Sequence, residues 1–127
     1  MEAFLKKILV IDDDIQGNQM VCRILKNAGY EVRSAFDGVE GIKLFMKERS
    51  DLVITDLFMP EKEGLETIME LRQADKEVRI MAITGGAPNM NMADLLDTAE
   101  MFGANALMAK PFHMETFLQR VKELLDE

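Results

Sequence analysis

The chain has 127 residues, of which 48% are hydrophobic and 30% charged, and a formal net charge of −8. That is the length of one domain and a globular balance, which excludes a disordered chain. The acidic balance excludes nucleic acid as a direct partner, because phosphate backbones demand a basic footprint.

The first seven residues lack a signal-peptide pattern, and no apolar run approaches the roughly 20 residues of a membrane span. Cys22 is the only cysteine, so an intrachain disulfide is impossible. These features predict a single cytoplasmic domain over residues 1–127 with no membrane association.

Short apolar runs alternate with amphipathic stretches along the chain. The first run, Ile8-Leu9-Val10-Ile11, stops at Asp12, Asp13 and Asp14. Val21, Ile24, Leu25 and Ala28 then share one helix face, with Asp14 as the expected N-cap and Gly29 as the stop. Cys22 falls on the inner side of that helix and reads as a small core hydrophobe. Residues 31–35 form a weaker second strand. Gly41, Ile42, Phe45 and Met46 mark the second helix, opened by a box of Asp37 and Glu40.

Leu52-Val53-Ile54 leads into Thr55-Asp56, and Leu65, Ile68 and Met69 mark the third helix, with Glu61-Lys62-Glu63 as its solvated start. Ile80-Met81-Ala82-Ile83 leads into Thr84-Gly85-Gly86. The fourth helix carries Met92, Leu95, Leu96, Ala99 and Phe102 and closes at Gly103. Met90 and Met101 lie off its stripe and are expected at the surface. Residues 106–109 lead into Lys110-Pro111-Phe112. His113 reads as a surface residue, and Phe117, Leu118, Val121, Leu124 and Leu125 mark the last helix.

Strand–helix alternation five times over predicts a parallel sheet with helices on both faces. Right-handed crossovers then leave few topologies, and five strands fit a flavodoxin-like doubly wound (βα)5 fold of strand order 2-1-3-4-5. In such sheets ligands sit beyond the carboxyl ends of the strands. One edge therefore gathers the Asp12, Asp13 and Asp56 carboxylates, the Thr84 hydroxyl and the Lys110 ammonium. Two like charges about 4 Å apart cost on the order of 4 kcal/mol at an effective dielectric near 20. Such a cluster calls for a shared proton or a cation. Oxygen ligands with several waters favour Mg²⁺. A carboxylate nucleophile beside a metal and an ammonium suits phosphoryl transfer, with Asp56 forming an aspartyl phosphate.

These pieces resemble the receiver domain of two-component response regulators. The matching stretches are Ile8-Leu9-Val10-Ile11-Asp12-Asp13, Val53-Ile54-Thr55-Asp56-Leu57-Phe58-Met59-Pro60 with Gly64, Ala82-Ile83-Thr84, and Ala109-Lys110-Pro111-Phe112. The resemblance covers the whole chain. It implies that Asp56 is the phosphoacceptor. It also implies that Asp13 binds Mg²⁺ directly, Asp12 largely through water, and the Phe58 backbone carbonyl as a further ligand. Thr84 would hold the phosphoryl group and Lys110 would pair with it.

The Lys110–Pro111 bond is commonly cis in that family. Its members are not enzymes on separate substrates. They take a phosphoryl group from a sensor histidine kinase or phosphotransfer protein. They then signal to an output protein through the face made by the fourth helix, fifth strand and fifth helix. No output domain follows Glu127, so the output is a separate partner or the chain is a fragment of a longer regulator.

There are departures. Leu107 stands where many receivers carry a switch aromatic, and Phe58 and Gly86 occupy positions that influence phosphoryl lifetime. Two other readings exist. A haloacid-dehalogenase-type phosphatase begins Asp-x-Asp, which Asp12 and Asp14 mimic, but it needs a further acidic pair after the lysine strand. Here that stretch is Pro111-Phe112-His113-Met114. A degenerate receiver would bind partners without phosphorylation, which the complete acidic set argues against.

Overall fold

A computed structural model describes residues 5–58, 64–85 and 91–127. Five strands and five helices alternate strictly: β1 Lys7–Ile11, α1 Ile15–Asn27, β2 Glu31–Ala35, α2 Gly38–Lys47, β3 Leu52–Asp56, α3 Gly64–Ala74, β4 Arg79–Thr84, α4 Met92–Phe102, β5 Ala106–Ala109 and α5 Met114–Leu124. The strands are parallel and lie in the order β2-β1-β3-β4-β5. The expected doubly wound fold is thus observed.

The side-chain alternation of a strand divides the core in two. Leu9, Ile11, Val53, Ile80 and Ala82 point to one face, where they meet Phe45 of α2, Ile68 and Leu71 of α3, and Leu95 and Ala99 of α4. Ile8, Val10, Leu52, Ile54, Met81 and Ile83 point to the other, against Val21 and Leu25 of α1 and Phe117 and Val121 of α5. The central strands are buried on both sides, which is why they read as unbroken apolar runs. Each fully buried Leu, Ile or Phe contributes about 1.5–3 kcal/mol of burial.

Helix ends follow local chemistry. Asp37 caps α2 by accepting from the Glu40 amide at 2.7 Å, and the Glu40 carboxylate accepts from the Phe36 amide at 2.9 Å. The box is real but reaches back one residue further than its usual form. Gly103 ends α4 at φ +120°, a left-handed conformation that glycine adopts without steric penalty. Beneath it the Arg72 guanidinium donates to the Gly103 carbonyl and to Asn105 Oδ1, which ties α3 to the start of β5.

Several expectations need correction. Asp14 occupies the N-cap of α1, but its side chain makes no capping hydrogen bond. Its amide is instead drawn to Asp12. Ala28 lies past the helix end and is exposed. Met46, Met69 and Met92 are exposed, not core. The buried stripe of α3 runs through Gly64, Thr67, Ile68 and Leu71, leaving Met69 just outside it. Met101 is exposed as expected, at 84%. Cys22 is buried as expected, and His113 is exposed at the start of α5. Met90, Gly86, Met59, Pro60 and residues 61–63 lie outside the described residues.

Candidate functional site

The carboxyl ends of β1, β3 and β5 converge at one edge of the sheet. Asp12 and Asp13 follow β1 directly, Asp56 is the last residue of β3, and Lys110 follows β5. Carboxylate oxygens of Asp12, Asp13 and Asp56 lie within 4.8 Å of one another. Among the described residues this is the one place where three acidic, histidine or cysteine side chains converge. Asp12 and Asp56 are buried, while Asp13 faces solvent.

Asp56 Oδ1 accepts from the Phe58 amide at 3.0 Å, and Oδ2 accepts from Lys110 Nζ at 2.9 Å. Asp12 Oδ1 accepts from the Asp14 amide at 3.0 Å, and its Oδ2 lies 3.3 Å from the same ammonium. Lys110 therefore bridges two carboxylates from two different strands.

Burial pushes the Asp12 carboxyl above its ordinary value, and the charge of Asp56 adds to this, against the Asp14 amide and Lys110. Burial works the opposite way on Lys110 and would lower it. The hydrogen bond and charge of Asp56, with Asp12 behind them, outweigh burial and hold the ammonium above its ordinary value.

Thr84 ends β4 and is fully buried. Its carbonyl accepts from the Lys110 amide at 2.8 Å, so the two residues are tied through their backbones. The Lys110–Pro111 bond is cis. Phe58 is partly exposed next to the acceptor strand. Leu107 is half-buried and packs against the core beneath α2, α3 and α4.

The donor set suits a hard divalent cation. Three carboxylates offer oxygen ligands only, and one of them is open to solvent, which leaves room for water in the coordination shell. One ammonium neutralises one of three negative charges, so the cluster retains a charge that a divalent cation would balance.

Two features were not expected from sequence. Lys110 was assigned only to a phosphoryl group, yet it already pairs with Asp56 and Asp12. Asn18 is buried and donates from its side chain to the carbonyls of Asp12 and Ala35. A signal existed: Asn18 sits in step with Val21, Cys22 and Leu25 on the buried stripe of α1.

Comparison with known proteins agrees with this fold. The family model described as "Response regulator receiver domain" matches residues 8–122. The response regulator MprA of Mycobacterium sp. (strain KMS) is 35% identical over 119 residues, covering 94% of this chain and 50% of that protein. The chain thus spans about half the length of the curated relatives it matches.

Among solved structures, the Vibrio cholerae chemotaxis protein CheY4 is 32% identical, with a TM-score of 0.88 covering 96% of this chain and all of that one. The Thermotoga maritima response regulator TrrA, solved in complex with Mg²⁺-BeF, is 32% identical with a TM-score of 0.83 over 95% of this chain and all of that one. No helix among the described residues is long and apolar enough to cross a membrane. The chain belongs to the response regulator receiver domain family of two-component systems.

Proposed function

We propose that residues 1–127 form a single phospho-accepting receiver unit in which Asp56 is the phosphoacceptor. The observation that carries this is the convergence of Lys110 on Asp56 Oδ2 and Asp12 Oδ2 inside the three-carboxylate cluster. An isolated strand-end aspartate would be a turn residue. One held by a dedicated ammonium beside two further carboxylates is a nucleophile with its charge partner in place.

The step is nucleophilic displacement at phosphorus. An Asp56 carboxylate oxygen forms the new P–O bond as the bond from phosphorus to the donor breaks. From a kinase or phosphotransfer protein, the leaving atom is a histidine nitrogen. The product is an aspartyl phosphate. Asp12, Asp13, Asp56 and the Phe58 carbonyl would hold Mg²⁺, which supplies charge neutralisation for the phosphoryl oxygens. Lys110 neutralises a second oxygen as it leaves the carboxylate for the phosphoryl group. Thr84, at the end of the neighbouring strand, supplies a hydroxyl within the same edge. The Mg²⁺-BeF complex of the 32%-identical TrrA supports this assignment by likeness.

The same reading makes the chain a signalling module, not an enzyme on a separate substrate. Its donor is a sensor histidine kinase or phosphotransfer protein. Its output is a protein engaged through α4, β5 and α5, with no direct nucleic-acid contact, in the cytoplasm. Phosphorylation shifts a two-state equilibrium by changing local charge.

The test is intact-mass analysis after incubation with acetyl phosphate and Mg²⁺. The parent gains one base-labile phosphoryl group, and Asp56→Asn gains none. A parent that remains unmodified sinks the proposal and favours a phosphorylation-independent binding module.

A further inference from the structure

We infer that Asn18 is a positioning residue for the cation site, fixing the peptide plane that joins Asp12 to Asp13. The inference rests on the phosphoacceptor reading above and extends it to a residue that lies outside the acidic cluster.

The β1–β2 ladder ends with Ile11 opposite Ala35. One residue later the Asp12 amide still donates to the Ala35 carbonyl, at 3.1 Å. Asn18 then supplies what the ladder no longer can. Its Nδ2 donates to the Asp12 carbonyl at 3.0 Å and to the Ala35 carbonyl at 2.9 Å. Both hydrogens of the carboxamide are used. Its Oδ1 accepts from the Cys22 thiol at 3.3 Å, so the whole group is satisfied in a setting only 1% exposed. Its backbone amide donates to the Asp14 carbonyl at 2.8 Å. One side chain and its own amide thus hold the turn on both sides of Asp13.

The chemistry demands this residue type. Two donors must leave one short stem at an angle that meets two carbonyls on adjacent strands. A hydroxyl supplies one donor, and an aliphatic side chain supplies none. The Asp12 carbonyl belongs to the planar peptide whose other end is the Asp13 nitrogen. Releasing that carbonyl frees the plane to rotate, and rotation displaces both carboxylates relative to Asp56. Partners that orient metal ligands without touching the metal commonly set affinity by 10–100-fold.

The experiment is isothermal titration of the full chain with Mg²⁺ alone, comparing the parent with Asn18→Ala, Asn18→Ser and Ile24→Ala. Ile24 lies on the same helix, six residues along from Asn18, and packs against the core, so its variant reports what loss of stability alone does. Asn18→Ala is expected to bind Mg²⁺ about 10-fold more weakly or worse, in line with such orienting partners. Asn18→Ser should fall between it and the parent, and Ile24→Ala should match the parent.

Asn18→Ala binding as tightly as the parent, or Ile24→Ala weakened as much as Asn18→Ala, overturns the inference while leaving the phosphoacceptor reading intact. A parent that binds no Mg²⁺ overturns both. If Asn18→Ala does not fold, Asn18→Ser decides the matter by the same comparison.

Discussion

Substituting Gly64 by alanine tests how closely α3 is seated on the acceptor strand. Gly64 opens that helix, and its amide donates to the Leu57 carbonyl at 2.9 Å. A methyl group there would run into the Asp56 carbonyl oxygen and lie 2.6 Å from Leu57 Cα. Ordinary contact between carbons is about 3.5–4.0 Å, so the backbone must retreat by roughly 1 Å. The obstacle is main chain, not a side chain that can rotate away. Overpacking of this kind costs about 1–3 kcal/mol, and the rigid neighbour places Gly64→Ala at the upper end. Reduced freedom of the unfolded chain returns about 0.4–1 kcal/mol, which leaves a net loss of about 2 kcal/mol. With a urea slope of about 2 kcal/mol/M, the unfolding midpoint falls by about 1 M. Gly85→Ala is the control, because a methyl there meets nothing within 4 Å. Its midpoint should move by no more than about 0.5 kcal/mol in equivalent stability. The retreat of Asp56 should also slow phosphorylation by acetyl phosphate in Gly64→Ala. An unchanged midpoint for Gly64→Ala would refute the close seating of α3 on Asp56.

Two further outcomes follow from charge. Lys110→Met removes the cation that holds Asp12 and Asp56, so the variant should bind Mg²⁺ more tightly than the parent yet accept a phosphoryl group on the order of 10²-fold more slowly, as expected when a charge-stabilising group is lost. Calorimetry and intact mass read the two effects separately, and a variant weakened in Mg²⁺ binding would contradict a competition between ammonium and metal. Burial, with the hydrogen bond to Glu127 at 2.7 Å and that carboxylate's charge, pushes the Tyr30 phenol up to about 12. Because the folded value lies above the unfolded one of about 10, this stabilisation is complete below pH ~10 and is lost as pH rises through ~12. Glu127 is exposed, and solvent screening reduces the contribution to about 1 kcal/mol. Tyr30 is the only tyrosine, so tyrosinate absorbance reads it alone. Tyr30→Phe should flatten the loss of stability between those pH values, and an unaltered alkaline profile would count against the contact.

Much of this molecule was legible because its central strands are buried on both faces. Continuous runs such as Ile8-Leu9-Val10-Ile11 and Leu52-Val53-Ile54 have few alternatives once helical stretches separate them. The site residues were legible for a related reason: each is the polar residue that ends such a run, and a parallel sheet brings those ends together. Asn18 escaped notice because its chemistry is directed to backbone carbonyls, whose positions depend on the pairing of β1 with β2. A single polar residue on an apolar stripe marks such a clamp only after the neighbouring strand ends are placed. The exposed Met46, Met69 and Met92 show the converse limit. Helical spacing identifies a stripe but not its width, and these methionines sit outside the buried part of it. The Lys110 bridge was hidden because its two partners lie far away in sequence and its length allows several anions within reach.

The same bridge bears on how a charge change at Asp56 reaches the surface. Three carboxylates and one ammonium share the strand ends, and Lys110 divides its charge between Asp56 and Asp12. In the proposed reaction Asp56 becomes an acyl phosphate, whose phosphoryl oxygens carry more negative charge than the carboxylate they replace. Lys110 then has a stronger anion to meet, and Asp12 loses its share. The Lys110 main chain is held while its ammonium can change partner, since its amide is bound to the Thr84 carbonyl at 2.8 Å and its strand begins only four residues earlier, at Ala106. Leu107 lies on that strand, half-buried against the core that α4 covers. An aromatic switch would work by swinging a ring between solvent and interior. Leu107 has no polar tip to favour one position over the other, and its packing on the core resists rotation. The Lys110 ammonium is therefore the group on this path with two anions within reach, and β5, paired with the end of β4 at Thr84, links it to the core under α4. In the proposed reaction the two states differ in which anion Lys110 holds.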